Sequence, residues 1–186
     1  MPTLTSLNDL LLDQLSDLLS AERQLIVALP KMAAAASGKN LRQGFLDHLA
    51  QTRTHVTRLE KAFAALGATP EAKTCLAMKG LIAEGAEAIG LKAPGTLRDV
   101  ALIGAARRVE HYEIAAYAAT RGLAGAADAA TVADLLQQTA DEECDTDKRL
   151  CSLGDLALEA SKDLSPDAQG RASRPAPRKS GVRKQK

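Results

Sequence analysis

LNDLLLDQLSDLLSAERQLIVALPKMAAAA, residues 7–36, carries Leu7, Leu11, Leu15, Leu18, Leu25 and Leu29 on one stripe of helical period. Ser6 with Asp9 three residues on resembles a capping box, with Asp in place of the usual Glu, so a first helix should start near Ser6. It runs to about Ala36, and Pro30 is expected to kink it. The stripe has one flaw. Between Leu18 and Leu25 it passes through position 22, which is a glutamate.

Working outward, Ser37-Gly38-Lys39-Asn40 reads as a short turn. A second helix then turns Leu41, Phe45, Leu49, Val56, Leu59 and Phe63 inward and stops at Gly67. Residues 67–95 hold a short helix over about 71–89, between Pro70 and Pro94-Gly95. Thr96 with Asp99 suggests a cap for the third long helix, with Val100, Ile103, Ala106, Ile114 and Tyr117 inward. Thr131 with Asp134 suggests the start of a fourth, with Leu135, Leu136, Leu150 and Leu153 inward. The first and last connections are short, so each pair is antiparallel, and the long middle connection can cross the length of a bundle. Two hairpins joined by one long crossover is the ferritin-like plan: all-α, a four-helix bundle over residues 1–160.

Composition agrees. Aromatics are 2% of the chain, and Ala and Leu dominate its 46% of hydrophobic residues; both are helix formers. The net charge of +1 conceals an asymmetry. Seven basic residues and no acid follow position 170, leaving 17 basic against 23 acidic residues, a net −6, for the body. Residues 161–186, rich in Pro, Ser, Arg and Lys, are expected to be a disordered basic tail. Three unpaired-looking cysteines, an acidic N-terminus unlike a signal peptide and the lack of an 18-residue apolar run together predict a cytoplasmic protein off the membrane.

The flaw at position 22 recurs in every long helix. In the third, the stripe meets Glu110 and Glu113; in the fourth, position 142 or 143, both Glu; in the second, His48 or Leu49, then His55 or Val56. An unpaired buried carboxylate is costly, and several together repel one another. Protonation, pairing with Arg or a bound cation would relieve them, and a dinuclear metal site accounts for all four interruptions at once. Glu22 and His55 are 33 residues apart, as are Glu110 and Glu143, so antiparallel hairpins bring each pair level. Leu-Ala-Gln-Thr (49–52) echoes Leu-Gln-Gln-Thr (136–139), a register that matches His55 to Glu142. Glu142 and Glu143 cannot both face in fully; the sequence leaves open which of them is the ligand, with a place on the rim as the alternative for Glu143. Arg107, Arg108 and Arg121 are alternative partners for Glu113.

Several stretches carry a resemblance: AERQL (21–25) with ALPKMA (28–33), HLAQTRTHV (48–56), AMKGLIAEG (77–85), RVEHYEIAAY (108–117) and LLQQTADEE (135–143). Over about residues 6–155 the chain resembles the YciE/YciF family of bacterial ferritin-like proteins linked to stress responses. The resemblance implies a ferritin-like fold with a di-iron site, and some members carry a ferroxidase label. It also implies a departure. The family commonly has Leu-Glu-Glu-Thr where this chain has Leu-Ala-Gln-Thr, so Gln51 replaces a carboxylate by a weaker, neutral donor. Glu84 matches a family motif and is a secondary candidate, with a solvated helix residue as the alternative.

The expected function is a di-metal carboxylate protein holding two iron ions per chain, with manganese as the alternative, and reacting with O2 or peroxide in a stress response. Glu22, His55, Glu110 and Glu142 or Glu143 would be ligands, with Glu113 and Gln51 as ligands or supports. Tyr112 or Tyr117 is a redox-active neighbour or a packing residue. The competing expectation is a non-catalytic stress protein: a homodimeric or larger scaffold whose tail binds nucleic acid or another polyanion weakly.

Overall fold

A computed structural model describes residues 4–164, and among them it contains helices and no strand. Five helices follow in order: α1 (Leu7–Ala35), α2 (Lys39–Ala65), α3 (Leu76–Gly90), α4 (Gly95–Ala126) and α5 (Ala130–Ser161), then a 3-10 turn at Lys162–Leu164. No helix of the described residues is long and apolar enough to cross a membrane. The expected tail, apart from its first four residues, lies outside the described residues.

The four long helices close a ring. α1 packs on α2, α2 on α5, α5 on α4, and α4 back on α1; α3 lies against α1 and α4. The helix starts are less local than the sequence suggests. Ser6 and Asp9 do form a reciprocal capping box. Thr96 and Asp99 do not cap α4, which opens at Gly95 behind Pro94 with no side-chain cap. The Asp99 carboxylate reaches across the bundle end instead, accepting from Ser37 N and Gly38 N at 2.8 Å each. Two donors of the α1–α2 turn are thereby satisfied, and the two hairpins are tied together. Thr131 and Asp134 likewise provide no cap for α5. At the end of α2, Gly67 adopts φ +62 and Ala68 N donates to Phe63 O, so the chain turns where only glycine is unstrained. α1 continues through Pro30 to Ala35.

The crossover helix starts later than expected, at Leu76 and not near residue 71. Residues 70–75 are held as a strap along α1. Glu71 N donates to Ser16 Oγ, Cys75 N donates to Ser20 Oγ, and Lys73 Nζ sits 2.7 Å from Asp13 Oδ2. Tertiary partners for these backbone donors replace the helical ones.

The apolar core is divided in two. One half gathers Leu25, Leu29, Phe45, Leu102, Ile103 and Leu150 around the α1–α2 turn. The other gathers Leu11, Leu15, Leu59, Phe63, Tyr117 and Leu136 at the opposite end. Between them, at mid-length of all four long helices, lies a buried polar layer: Glu22, His48, Thr52, His55, Glu110, Glu113, Thr139 and Glu143.

Candidate metal centre

Each ring helix delivers side chains to this layer because its apolar stripe is interrupted there. α1 contributes Glu22; α2, His48 and His55, seven residues and two turns apart; α4, Glu110 and Glu113, one turn apart; α5, Glu143. Glu22, His55, Glu113 and Glu143 are fully buried. The donors fall into two groups, each with ligand atoms within 4.8 Å of one another. Glu22, His55 and Glu143 form one; His48, Glu110, Glu113 and Glu143 form the other. Glu143 belongs to both.

The layer is short of hydrogen bonds. Nine buried side-chain atoms have no partner: Glu22 Oε2, both ring nitrogens of His48, His55 Nδ1, Glu110 Oε2, and both oxygens of Glu113 and of Glu143. His55 Nδ1 comes within 2.9 Å of Glu143 Oε1 and 3.5 Å of Glu22 Oε1, but neither approach has hydrogen-bond alignment. His48 Nε2 is 3.5 Å from Glu110 Oε1, and its Nδ1 is 3.9 Å from Glu143 Oε2. Buried polar atoms are nearly always paired, so this concentration of orphans calls for a missing partner. The three arginines named as alternative partners for Glu113 are engaged elsewhere. Arg107 pairs with Asp147, Arg108 with Glu84, and Arg121 donates to Gln137.

Electrostatics records the same strain. Burial pushes Glu110 and Glu113 well above the ordinary carboxylate range, and neighbouring carboxylates add to it. Burial also raises Glu22, against the pull of His55 and Tyr117. For Glu143, burial is outweighed by His55 and His48, which hold it below the usual value. Burial works against the His55 imidazolium, yet Glu143 and Glu22 push its pKa up to about 10; burial lowers that of His48.

Around this layer the supports are well made. His55 Nε2 lies 2.8 Å from Glu142 Oε2 in a hydrogen bond in which the carboxylate accepts, and Nδ1 is turned toward Glu22 and Glu143. Arg58 grips Glu142 with two bonds, Nη1 to Oε2 at 2.7 Å and Nη2 to Oε1 at 2.6 Å. Tyr117 donates its hydroxyl to Glu22 Oε1 at 2.5 Å. Tyr112 points away from the layer, to Asp17 Oδ2 and Cys75 Sγ, both at 2.9 Å.

The structure thus brings together Glu22, His55, Glu110, Glu113 and Glu143 from the sequence candidates, and adds His48. On α5 it separates the two candidates: Glu143 is inside, and Glu142 is the partly exposed residue that supports His55. The register implied by the Leu-x-Gln-Thr echo therefore yields to the 33-residue spacing. Gln51, beside His48 on α2, lines with His48 and Glu110 a cavity of about 20 Å³ between α2 and α5. Glu84 is far out on α3, more than half exposed and paired with Arg108 at 3.1 Å.

Fold and residues together define a class: an all-helical protein with an imidazole–carboxylate cluster buried at mid-length of its four long helices. The chain belongs to the YciE/YciF family. Residues 6–161 match the family described as a domain of unknown function, DUF892. Protein YciF of Escherichia coli (strain K12) is 39% identical over 149 residues, covering 80% of this chain and 90% of the relative. The crystal structure of that E. coli stress protein superposes with a TM-score of 0.82, covering 84% of this chain and 99% of the other. YcfI of Rhodopseudomonas palustris, 36% identical, superposes at 0.76 over 78% of this chain and 93% of its own. A Xanthomonas campestris protein at 19% identity and a TM-score of 0.65 shares the fold.

Proposed function

We propose that this protein is a ferritin-like four-helix-bundle protein that holds two metal ions, iron or alternatively manganese, and reacts them with dioxygen or peroxide in a stress response. The reading is carried by the nine unpartnered buried donor atoms in two groups that share one carboxylate. The donor set fits: imidazole and carboxylate, with no thiol among them, suit iron and manganese. Glu22, His55 and Glu143 would hold one ion, and His48, Glu110, Glu113 and Glu143 the other, with Glu143 spanning both. Bound there, the pair would supply the one-electron and oxygen chemistry that side chains lack.

The chain's own residues have separable tasks. Glu142 and Arg58 fix the His55 ring so that Nδ1 faces the site. Tyr117 orients Glu22 and holds a phenolic proton beside it. Burial and neighbouring carboxylates favour the protonated forms of Glu110 and Glu113, and a bound cation would displace those protons. The two apolar half-cores exclude bulk water from both ends of the layer.

The test is anaerobic reconstitution of metal-free protein with Fe(II) or Mn(II), followed by metal analysis and thermal melting. About two ions per chain and a raised Tm are expected. Fewer than ~0.2 ions per chain and an unchanged Tm would sink the reading.

A further inference from the structure

Dioxygen and hydrogen peroxide remain alternatives as co-reactants, and the molecule contains a feature that distinguishes them. A cavity of about 120 Å³ lies between α1, α3 and α4, floored by Phe45. Its outer end is marked by exposed Val27 and Lys31 on α1. Its inner end is Glu110, which is buried, belongs to the donor cluster and has an unpartnered Oε2. Between the ends the walls are almost wholly aliphatic, including Leu25, Leu81, Ile82 and Val109. The space exists because small residues meet where α3 crosses α1 and α4: Gly85, Ala105 and Ala106. The cavity is partly open to solvent. An engineered apolar cavity of about 150 Å³ stays dry and takes up benzene or xenon, so a volume of this order has a known class of occupant.

We propose that this cavity is a binding site and access path for dioxygen, a small uncharged apolar molecule, leading to the Glu110 side of the donor cluster. Dioxygen gives up almost nothing on leaving water for aliphatic walls. Hydrogen peroxide would lose most of its hydrogen bonds to water along a wall whose polar groups are confined to Gln24, Lys31 and Glu110. The cavity therefore selects dioxygen over peroxide by desolvation. The role as an access path rests on the metal-centre reading; the capacity to hold a small apolar molecule does not.

Gly85 is the place to test it. A Cβ at that position would meet Met32 Sδ at 3.7 Å, an ordinary contact, and Gly85 is no part of the donor cluster. Gly85→Leu should fill the cavity from α3, and Gly85→Ala serves as the mild control. Crystals of the metal-free full-length chain under xenon pressure should show xenon in the wild type and Gly85→Ala, and none in Gly85→Leu. In ferrous-loaded protein, Gly85→Leu should slow oxidation by dioxygen about tenfold while leaving oxidation by peroxide within about twofold. An empty wild-type cavity under xenon overturns the proposal. So does a plugged variant whose two oxidation rates fall equally, or whose dioxygen rate is unchanged. A chain that takes xenon but retains no iron defeats the metal-centre reading, and with it the delivery role, while leaving the apolar site in place.

Discussion

Glu143 is the residue on which both donor groups depend, since it is the one member they share. Glu143→Ala should therefore reduce metal content from about two ions per chain to fewer than one, whereas Glu22→Ala, which touches one group, should leave about one. Metal analysis after reconstitution separates the two outcomes, and equal losses would show that Glu143 does not bridge. Glu142 acts differently. It never faces the layer, but it holds the His55 ring, and losing such an outer partner typically weakens metal binding by about 10–100-fold. Glu142→Ala should show that drop with stoichiometry retained, and Arg58→Ala should show a smaller one. Glu142 was the hard residue to assign from sequence. Adjacent helix positions lie ~100° apart, so a stripe that reaches 142 or 143 cannot say which faces in. Packing decides it, and Arg58, a turn beyond His55 on α2, captures the outer glutamate. His48 was missed because the stripe accepted either His48 or Leu49, and both prove buried. Its seven-residue spacing from His55 is the signal that would have found it.

At the scale of elements, Asp99 holds the most consequential contact outside the donor layer. Its carboxylate satisfies two backbone donors of the α1–α2 turn from a position on α4, at 6% exposure. Asp99→Ala should destabilise the fold by about 2–3 kcal/mol, and Asp99→Asn by about half as much, since an amide keeps one acceptor. Urea melts will read both, and a change below ~0.5 kcal/mol for the alanine variant would mean that water replaces the carboxylate without loss. The four long helices were legible because each carries a continuous apolar stripe and ends near a turn signal. Their starts were less so. Thr96-x-x-Asp99 has the spacing of a cap but Asp99 serves a different turn, and residues 71–75 were expected in a helix but Glu71 and Cys75 give their N–H groups to serines on α1. In both places a tertiary partner outcompetes the local one, and a local pattern does not contain that partner.

Across the whole molecule, the buried layer sets how stability responds to pH. In metal-free protein Glu110 and Glu113 keep their protons far above 4.5, the ordinary carboxyl value, while the unfolded chain releases them near it. The native state then binds more protons than the unfolded state, so stability falls as pH rises. His55 acts in the same direction: its folded pKa of about 10 exceeds the ordinary 6.5, so its contribution is complete below 6.5 and lost on the way to 10. Glu142, Glu143 and Asp147 are held low and oppose this only at the acid end, where their stabilisation disappears as pH falls through the carboxylate range. Metal-free protein should therefore be most stable at mildly acidic pH, with a Tm that declines steadily from pH 6.5 to 9.5. A divalent ion competes with the same protons, so its stabilisation should grow over that interval. Thermal melts across the pH range, with and without Mn(II) to avoid redox chemistry, measure both slopes. A metal-free Tm that is flat or rises above pH 6.5 would mean that the layer carries no such protons. A Mn(II) effect independent of pH would mean that the ion binds elsewhere.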